Sequence, residues 1–243
     1  MIFHNRQFNI ENSIPNLKIC NTPIERVKEF SFLGIIINEN INWKSHVRHI
    51  SKKISQTIGI MNRIKHYVPL VCLKLIYQSL IHSHLNYGIL LWGFEIDNIY
   101  PLQKKAIRLL TNSHYIAHTE PLFKKENILK IEDIFKLHCY KLYFNFMNNQ
   151  VPSTISNLFL LNQNSNNYHL DNFNCPDASG KKRIRYHLPH LINNSSNLIL
   201  SKVFTHSRNG FKMYLKKHLI NDYDDSPCVE INCYSCSFLN RIT

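Results

Sequence analysis

The stretch NWKSHVRHISKKISQTIGIM, residues 42–61, decides the fold of this chain. Its apolar residues recur at intervals of three or four, which is the spacing of one face of an α-helix. This apolar stripe consists of Trp43, Val47, Ile50, Ile54, Ile58 and Met61. Because Arg48, Lys52 and Lys53 fall mostly off the stripe, we expect them to face solvent. The stretch therefore predicts an amphipathic helix that starts at Asn42, a residue type common at N-caps.

Further helices are predicted after this one. Pro69 is well placed to open a second helix, because proline fits the first turn. Residues 98–110 predict a third helix. The apolar side of the second helix is expected to carry Leu73, Ile76, Leu80 and Leu85, and that of the third Leu102, Ile107 and Leu110. The outer side or edge of the third is expected to carry Gln103, Lys104, Lys105 and Arg108.

The remaining segments predict a less regular second half. Thr119 starts a short helix that ends near Glu126, and residues 131–149 form a long one with Ile131, Ile134, Phe135, His138, Leu142 and Phe146 on one face. Residues 161–180 are rich in Asn, Asp and Ser, which is typical of a loop or partly disordered linker. A last amphipathic segment covers 198–219, and Asn209-Gly210 is expected to break it.

Upstream of residue 42 the pattern is that of β-strands. Ile2-Phe3 begins a short extended run, and the β-branched run FSFLGIII at 30–37 ends in turn-forming residues 38–40. We expect a mainly α chain with a short N-terminal antiparallel hairpin (1–41), a helical bundle (42–150) and a basic, partly disordered C-terminal region (151–243). Since an isolated strand pair is marginal in water, the hairpin is expected to be the edge of a structure whose remainder is missing.

Charge is the strongest signal in the composition. Lys and Arg number 29 against 16 Asp and Glu, which gives a net charge of +13. Neither Asp nor Glu occurs at 40–94 or at 178–221. The first block holds Lys44, Arg48, Lys52, Lys53, Arg63, Lys65 and Lys74, and the second holds Lys181, Lys182, Arg183, Arg185, Lys202, Arg208, Lys212, Lys216 and Lys217. Because an ordinary surface mixes both signs, these blocks favour a nucleic-acid-binding face over a merely basic protein.

Three other classes of protein are disfavoured by the sequence: disulfide-stabilised, membrane-spanning and metal-binding proteins. The seven Cys are irregularly spaced, which favours a reducing compartment, either nucleus or cytoplasm. The most apolar stretch, 75–92, contains polar residues, so no membrane span is expected. His46, His49, His82 and His84 lack an acidic cluster and are interpreted as surface or RNA-facing residues. No metal is expected, with one alternative: Cys233-x-x-Cys236 has zinc-ligand spacing that Cys228 and His218 would complete.

An ordered series of short segments resembles the C-terminal part of non-LTR (LINE-type, jockey-like) retrotransposon reverse transcriptases. The segments are FLGIII at 32–37, NWKSH at 42–46, LIY at 75–77, SLI at 79–81, HLNYG at 84–88, LWG at 91–93, LQKKAIR at 102–108 and AHTEPL at 117–122. The resemblance is good over residues 1–150 and looser to about 220.

The resemblance implies a role for each part of the chain. The hairpin with Phe32, Leu33 and Gly34 would be the primer grip at the end of the palm, and the helices would be the thumb, which holds a template–primer duplex. Gly34 would let the main chain approach the primer; the alternative is an ordinary strand bulge. The expected contacts to an RNA or RNA–DNA duplex are Lys44, Arg48, Lys52, Lys53, Arg63, Lys65, Lys104, Lys105 and Arg108.

No catalytic centre is expected in this chain. The polymerase palm uses paired aspartates that hold magnesium, and the family's pair lies upstream of Phe-Leu-Gly. The acids at 1–31 are only Glu11, Glu25 and Glu29, and Asp224-Asp225 lies in a polar tail. We therefore expect a truncated polymerase fragment whose partner would be the missing palm and fingers. Two alternatives remain: a helical protein-interaction module, or an inert mobile-element relic.

Overall fold

The structure is a computed structural model, and it describes residues 1, 3, 18–162, 168–174 and 183–224. The described part is mainly helical, as the sequence predicts. Two small antiparallel hairpins come first, formed by β1 (Lys18–Ile19) with β2 (Thr22–Pro23) and by β3 (Glu29–Phe32) with β4 (Ile35–Asn38). The sequence predicted a short N-terminal hairpin and a single β run at 30–37, and this run divides into β3 and β4 at a turn formed by Leu33 and Gly34. The hairpin of β1 and β2 was not predicted. Ile2 of the predicted extended run lies outside the described residues.

The helix predicted from residues 42–61 forms α1 (Lys44–Ile64). The predicted apolar stripe is buried from Val47 to Met61, and Trp43 is half-buried. The prediction of Asn42 as N-cap is wrong by one residue, because Trp43 occupies that position without a side-chain cap bond. The backbone N–H of Asn42 instead donates to Oδ1 of Asn38 at 2.8 Å. The end of β4 thus fixes the start of the helix.

A continuous helical path then follows Pro69: α2 (Leu70–Ile76), a π-helical turn (Tyr77–His82) and α3 (Ser83–Asn86). Its core side consists of Leu73, Tyr77, Ile81 and Leu85, four residues apart each time. The prediction that Leu80 faces the core is wrong, since this side chain is exposed. The wider π turn explains why Ile81 rather than Leu80 faces the core, because it keeps residues that are four apart on one side of the helix.

Two short helices and one longer one complete the first half. They are α4 (Ile89–Trp92), α5 (Tyr100–Leu110) and α6 (Glu120–Lys125). The short helix at 120–125 confirms the prediction from Thr119, which is its N-cap. α5 begins two residues later than predicted and packs against α1. Gln103 was predicted to face outward or lie along an edge, but its side chain is fully buried.

The long helix α7 (Ile131–Met147) is the centre of the second half. It packs against α3 and α4 and against two helices from the C-terminal region. The single apolar face predicted for it is therefore incomplete. His138, Leu142 and Phe146 are only half-buried, whereas Leu137, Cys139, Tyr140, Tyr143 and Phe144 are buried on other sides. A helix surrounded by neighbours buries several faces, which blurs the periodicity in its sequence.

After α8 (Ser153–Ser156), the C-terminal region forms α9 (Ile184–Asn193), α10 (Asn197–Thr205) and α11 (Arg208–Asn221). α9 was not predicted. The break in the last segment lies at His206–Ser207 rather than at Asn209-Gly210, because Ser207 caps α11 by accepting from the N–H of Gly210. In the predicted linker, Leu161 and Leu170 form a β-bridge, and Leu170 is buried.

Candidate nucleic-acid interface

The solvent side of α1 carries a row of cations. Lys44, Arg48 and Lys52 recur every fourth residue, and Arg63 follows three turns later on the same side. All four side chains are exposed. At 1.5 Å per residue, the row extends over roughly 28 Å. We call these four residues the α1 cationic face.

No carboxylate in the described part of the chain pairs with the α1 cationic face. Glu29 of β3 lies against the start of α1, where it accepts a hydrogen bond from Oγ of Ser45. Because Glu29 lies at the N-terminal end of α1, it offsets Lys44 more than the cations further along.

The other predicted contact residues lie in different surroundings. Lys53 lies beside the face, and burial together with the charges of Lys53 and His49 lowers the pKa of His84. Lys65 is half-buried at the end of α1. The α5 residues do not join the face, because α1 packs on α5 through its opposite, apolar side.

The three residues of α5 that were predicted to contact nucleic acid differ in their exposure and in their contacts within the protein. Lys105 is exposed. Nζ of Lys104 lies 4.3 Å from the centre of the Tyr100 ring, a cation–π contact within its own helix. Nε of Arg108 donates to the carbonyl oxygen of Ala117 at 2.8 Å. Arg108 thus ties a loop to α5, a structural role that the sequence did not indicate.

The hairpin with the Phe-Leu-Gly motif is anchored to the helices next to the α1 cationic face. Leu33 and Gly34 form its two-residue turn with φ of +47° and +77°, so Gly34 lies in a tight turn rather than in a strand bulge. The hydroxyl of Tyr87 donates to the Leu33 carbonyl at 2.5 Å. Phe32 and Leu33 are nevertheless exposed, by 58% and 73%. The turn therefore offers an apolar tip held in a fixed position.

His46 holds the other side of this hairpin, and the interpretation of His46 as a surface residue is wrong. It is 2% exposed, and its Nδ1 accepts from the backbone N–H of Ile36 at 3.3 Å. Its ring lies edge-on to Trp92, 5.9 Å away. The sequence signal was its spacing of three and four from Trp43 and Ile50, within the apolar stripe. His46 positions the hairpin instead of contacting a ligand.

Burial, followed by the charges of His49 and Lys53, lowers the pKa of His46 to about 4. Protonation would place a second donor against the Ile36 N–H, so the folded protein favours neutral imidazole. Because the unfolded pKa is about 6.5, this contribution to stability is complete above pH 6.5 and is lost progressively as the pH falls towards 4. We expect denaturant titrations to show a lower free energy of unfolding at pH 5 than at pH 7.

The matched variant is His46→Asn, whose side-chain oxygen still accepts from Ile36 but does not titrate. Its stability should depend less on pH than that of the wild type, with a residual slope from His138, whose pKa burial also lowers to about 4. Exposed His66→Asn is the control. Identical pH profiles for His46→Asn and the wild type would contradict the assignment.

Gly59 lies between Lys52 and Arg63 on the solvent side of α1, where there is space for a larger side chain. A Cβ added to it would meet no atom within 4 Å. Glycine inside a helix costs about 1 kcal/mol relative to alanine, so Gly59→Ala should raise the free energy of unfolding by about 0.5–1 kcal/mol. The comparison variant is Gly88→Ala, which should destabilise, since Gly88 has φ of +62° and its Cβ would lie 2.7 Å from Cδ1 of Ile35. Chemical denaturation measures both, and destabilisation by Gly59→Ala would contradict the expectation.

The described residues contain no group of three or more His, Cys, Asp or Glu side chains arranged to hold a metal ion. Cys228, Cys233 and Cys236 of the zinc alternative lie outside the described residues, as does Asp225. None of the helices described is long and apolar enough to cross a bilayer.

Comparison with known proteins adds no assignment at this point. No protein-family model, no curated protein and no solved structure matches the chain.

Proposed function

We propose that this chain binds the phosphate backbone of a nucleic-acid duplex through the α1 cationic face, as the primer-grip and thumb region of a non-LTR reverse transcriptase. The observation that carries the proposal is the row of Lys44, Arg48, Lys52 and Arg63 on one side of a rigid helix, with which no carboxylate of the described residues pairs. Such a row binds phosphates without reading base sequence. The proposed role is binding alone.

The anchored hairpin supports the same assignment. Phe32 and Leu33 are presented at a turn that Tyr87 holds from α3, while His46 and Asn38 join β4 to the start of α1. The strands of the hairpin are thereby joined to the start of the cationic helix, and the exposed apolar tip is held by Tyr87. A tip of this kind suits packing against the sugars or bases at a primer end, with the duplex backbone lying along α1.

Salt dependence of binding tests this proposal. Fluorescence anisotropy with a labelled RNA–DNA duplex should show that log affinity falls linearly with log salt concentration. Four phosphate contacts would give a slope of roughly −3 to −4. Two duplexes of equal length and unrelated sequence should bind with equal affinity. Binding that stays unchanged as the salt concentration rises several-fold would contradict the proposal.

A second candidate function rests on a different observation. The turn after α1 and the outer side of α2 expose four large apolar side chains, namely Tyr67, Leu70, Val71 and Leu75. A contiguous apolar patch on a helix is typical of protein interfaces. The alternative is therefore a helical interaction module. Recovery of one defined protein partner after nuclease treatment, together with no duplex binding, would favour it over the polymerase fragment.

A further inference from the structure

The second acid-free block of the sequence places a row of cations on α11. Arg208, Lys212 and Lys216 recur every fourth residue, which keeps them on one side of the helix. This row borders the buried residues Phe211 and Leu215. Arg208 and Lys212 are exposed, and Lys216 is half-buried. The cations therefore line the edge where α11 meets its neighbours.

The neighbour on this side is α7, which contributes a further cation. The ring of Phe211 stacks on Phe144 of α7 with 5.2 Å between the ring centres. Lys141 lies one turn before Phe144 on α7 and is half-buried. The packing of these two helices thus brings Lys141 to the row of α11.

The cations are close enough to repel one another. Burial, followed by the charges of Lys212 and Arg208, lowers the pKa of Lys141. Burial, followed by the charges of Lys212 and of Lys74 on α2, lowers the pKa of Lys216. Like charges held together are unfavourable unless an anion lies between them. We call Lys141, Arg208, Lys212 and Lys216 the α7–α11 cluster.

The described residues supply no carboxylate to the α7–α11 cluster. The nearby Lys74 does have one, since its Nζ lies 3.1 Å from Oε2 of Glu126. His218 of α11 likewise pairs with Asp222 at 3.4 Å. Among the described residues, carboxylates therefore pair with the neighbours of the cluster but not with its four cations.

We propose that the α7–α11 cluster is a second polynucleotide site, which binds the phosphates of an RNA or DNA strand. It goes beyond the function proposed above, because its residues and helices differ from those of the α1 cationic face. A strand of phosphates fits the half-buried Lys141 and Lys216, whereas a flat anionic membrane would contact mainly the exposed Arg208 and Lys212. The charge pattern of the sequence already favours a nucleic-acid-binding face for the second basic block, and the packing of α7 on α11 adds Lys141 from outside that block.

Paired glutamine variants of α11 in the full chain test the second site. Lys212→Gln removes a cluster residue, and Lys217→Gln removes an equal charge from the far side of the same helix. With labelled single-stranded RNA in anisotropy titrations, Lys212→Gln should weaken binding about fivefold and reduce the salt slope by about one. Lys217→Gln should leave both nearly unchanged. Equal losses in the two variants would overturn the site in favour of a general charge effect.

A third variant, Lys52→Gln, separates this site from the α1 cationic face. If Lys52→Gln weakens duplex binding and Lys212→Gln weakens no nucleic-acid binding, the second site fails and the proposed function stands. If only Lys212→Gln weakens binding, the second site stands and the proposed function fails. Vesicles containing phosphatidylserine provide the last arm: loss of vesicle binding by Lys212→Gln with unchanged RNA binding would assign the cluster to lipid headgroups and overturn the proposal.

Discussion

Replacing Arg48 and Lys52 together by glutamate is expected to lower the affinity for an RNA–DNA duplex by about 100-fold at moderate salt, since each reversal removes an attraction and adds a repulsion. These two residues lie in the middle of the α1 cationic face, away from Glu29. The salt slope should fall by about two. Anisotropy titrations at several salt concentrations measure both quantities.

The control for this double variant is Lys125→Glu with Lys217→Glu, which makes the same change in net charge at exposed positions on α6 and α11. Its affinity should stay within a few-fold of the wild type. Both double variants should keep the wild-type unfolding free energy within about 1 kcal/mol, because exposed charges contribute little to stability. Equal losses of affinity in the two would show that net charge, rather than the α1 cationic face, determines binding.

Gln103→Leu is expected to cost about 3–5 kcal/mol of unfolding free energy, the largest loss of stability from a single change considered for this fold. Nε2 of Gln103 donates to the Leu129 carbonyl at 2.9 Å and to the Tyr77 hydroxyl at 3.1 Å. Oε1 accepts from the N–H of Ile131 at 2.8 Å. Leucine would leave these groups unpaired in a dry core, where each unmet hydrogen bond costs about 1–3 kcal/mol.

Two further variants test whether the loss of stability in Gln103→Leu comes from its buried hydrogen bonds. Tyr77→Phe removes one partner of the network and should cost about 1 kcal/mol. Gln56→Leu makes the same exchange on the exposed side of α1 and should change stability by less than about 0.5 kcal/mol. Urea denaturation at neutral pH gives all three values. A loss below 1 kcal/mol for Gln103→Leu would mean that the network adds little to the fold.

Spacing rules alone would have placed Gln103 and His46 correctly. Gln103 falls between Ile99 and Ala106 in the inward stripe of α5, and His46 falls between Trp43 and Ile50 in that of α1. Their polarity suggested an outward position instead. Polar side chains are buried at low cost when their hydrogen bonds are satisfied. Gln103 bonds to three groups outside its own helix. His46 bonds to Ile36 of β4 through Nδ1, while its buried Nε2 has no hydrogen-bond partner in the described part of the chain. A single segment of sequence does not reveal such partners.

The sequence by itself determined the helical class, the β character of residues 30–37, the amphipathic helix α1 and the cations on its outer side. These features depend on periodicity and on local turn chemistry, which act within a few residues. Only the tertiary structure decided that His46 and Gln103 are internal, that Arg108 ties a loop, and that Lys141 lies beside the row of α11. Each of these outcomes depends on contacts between residues distant in the chain, where packing and hydrogen-bond satisfaction outweigh local preference.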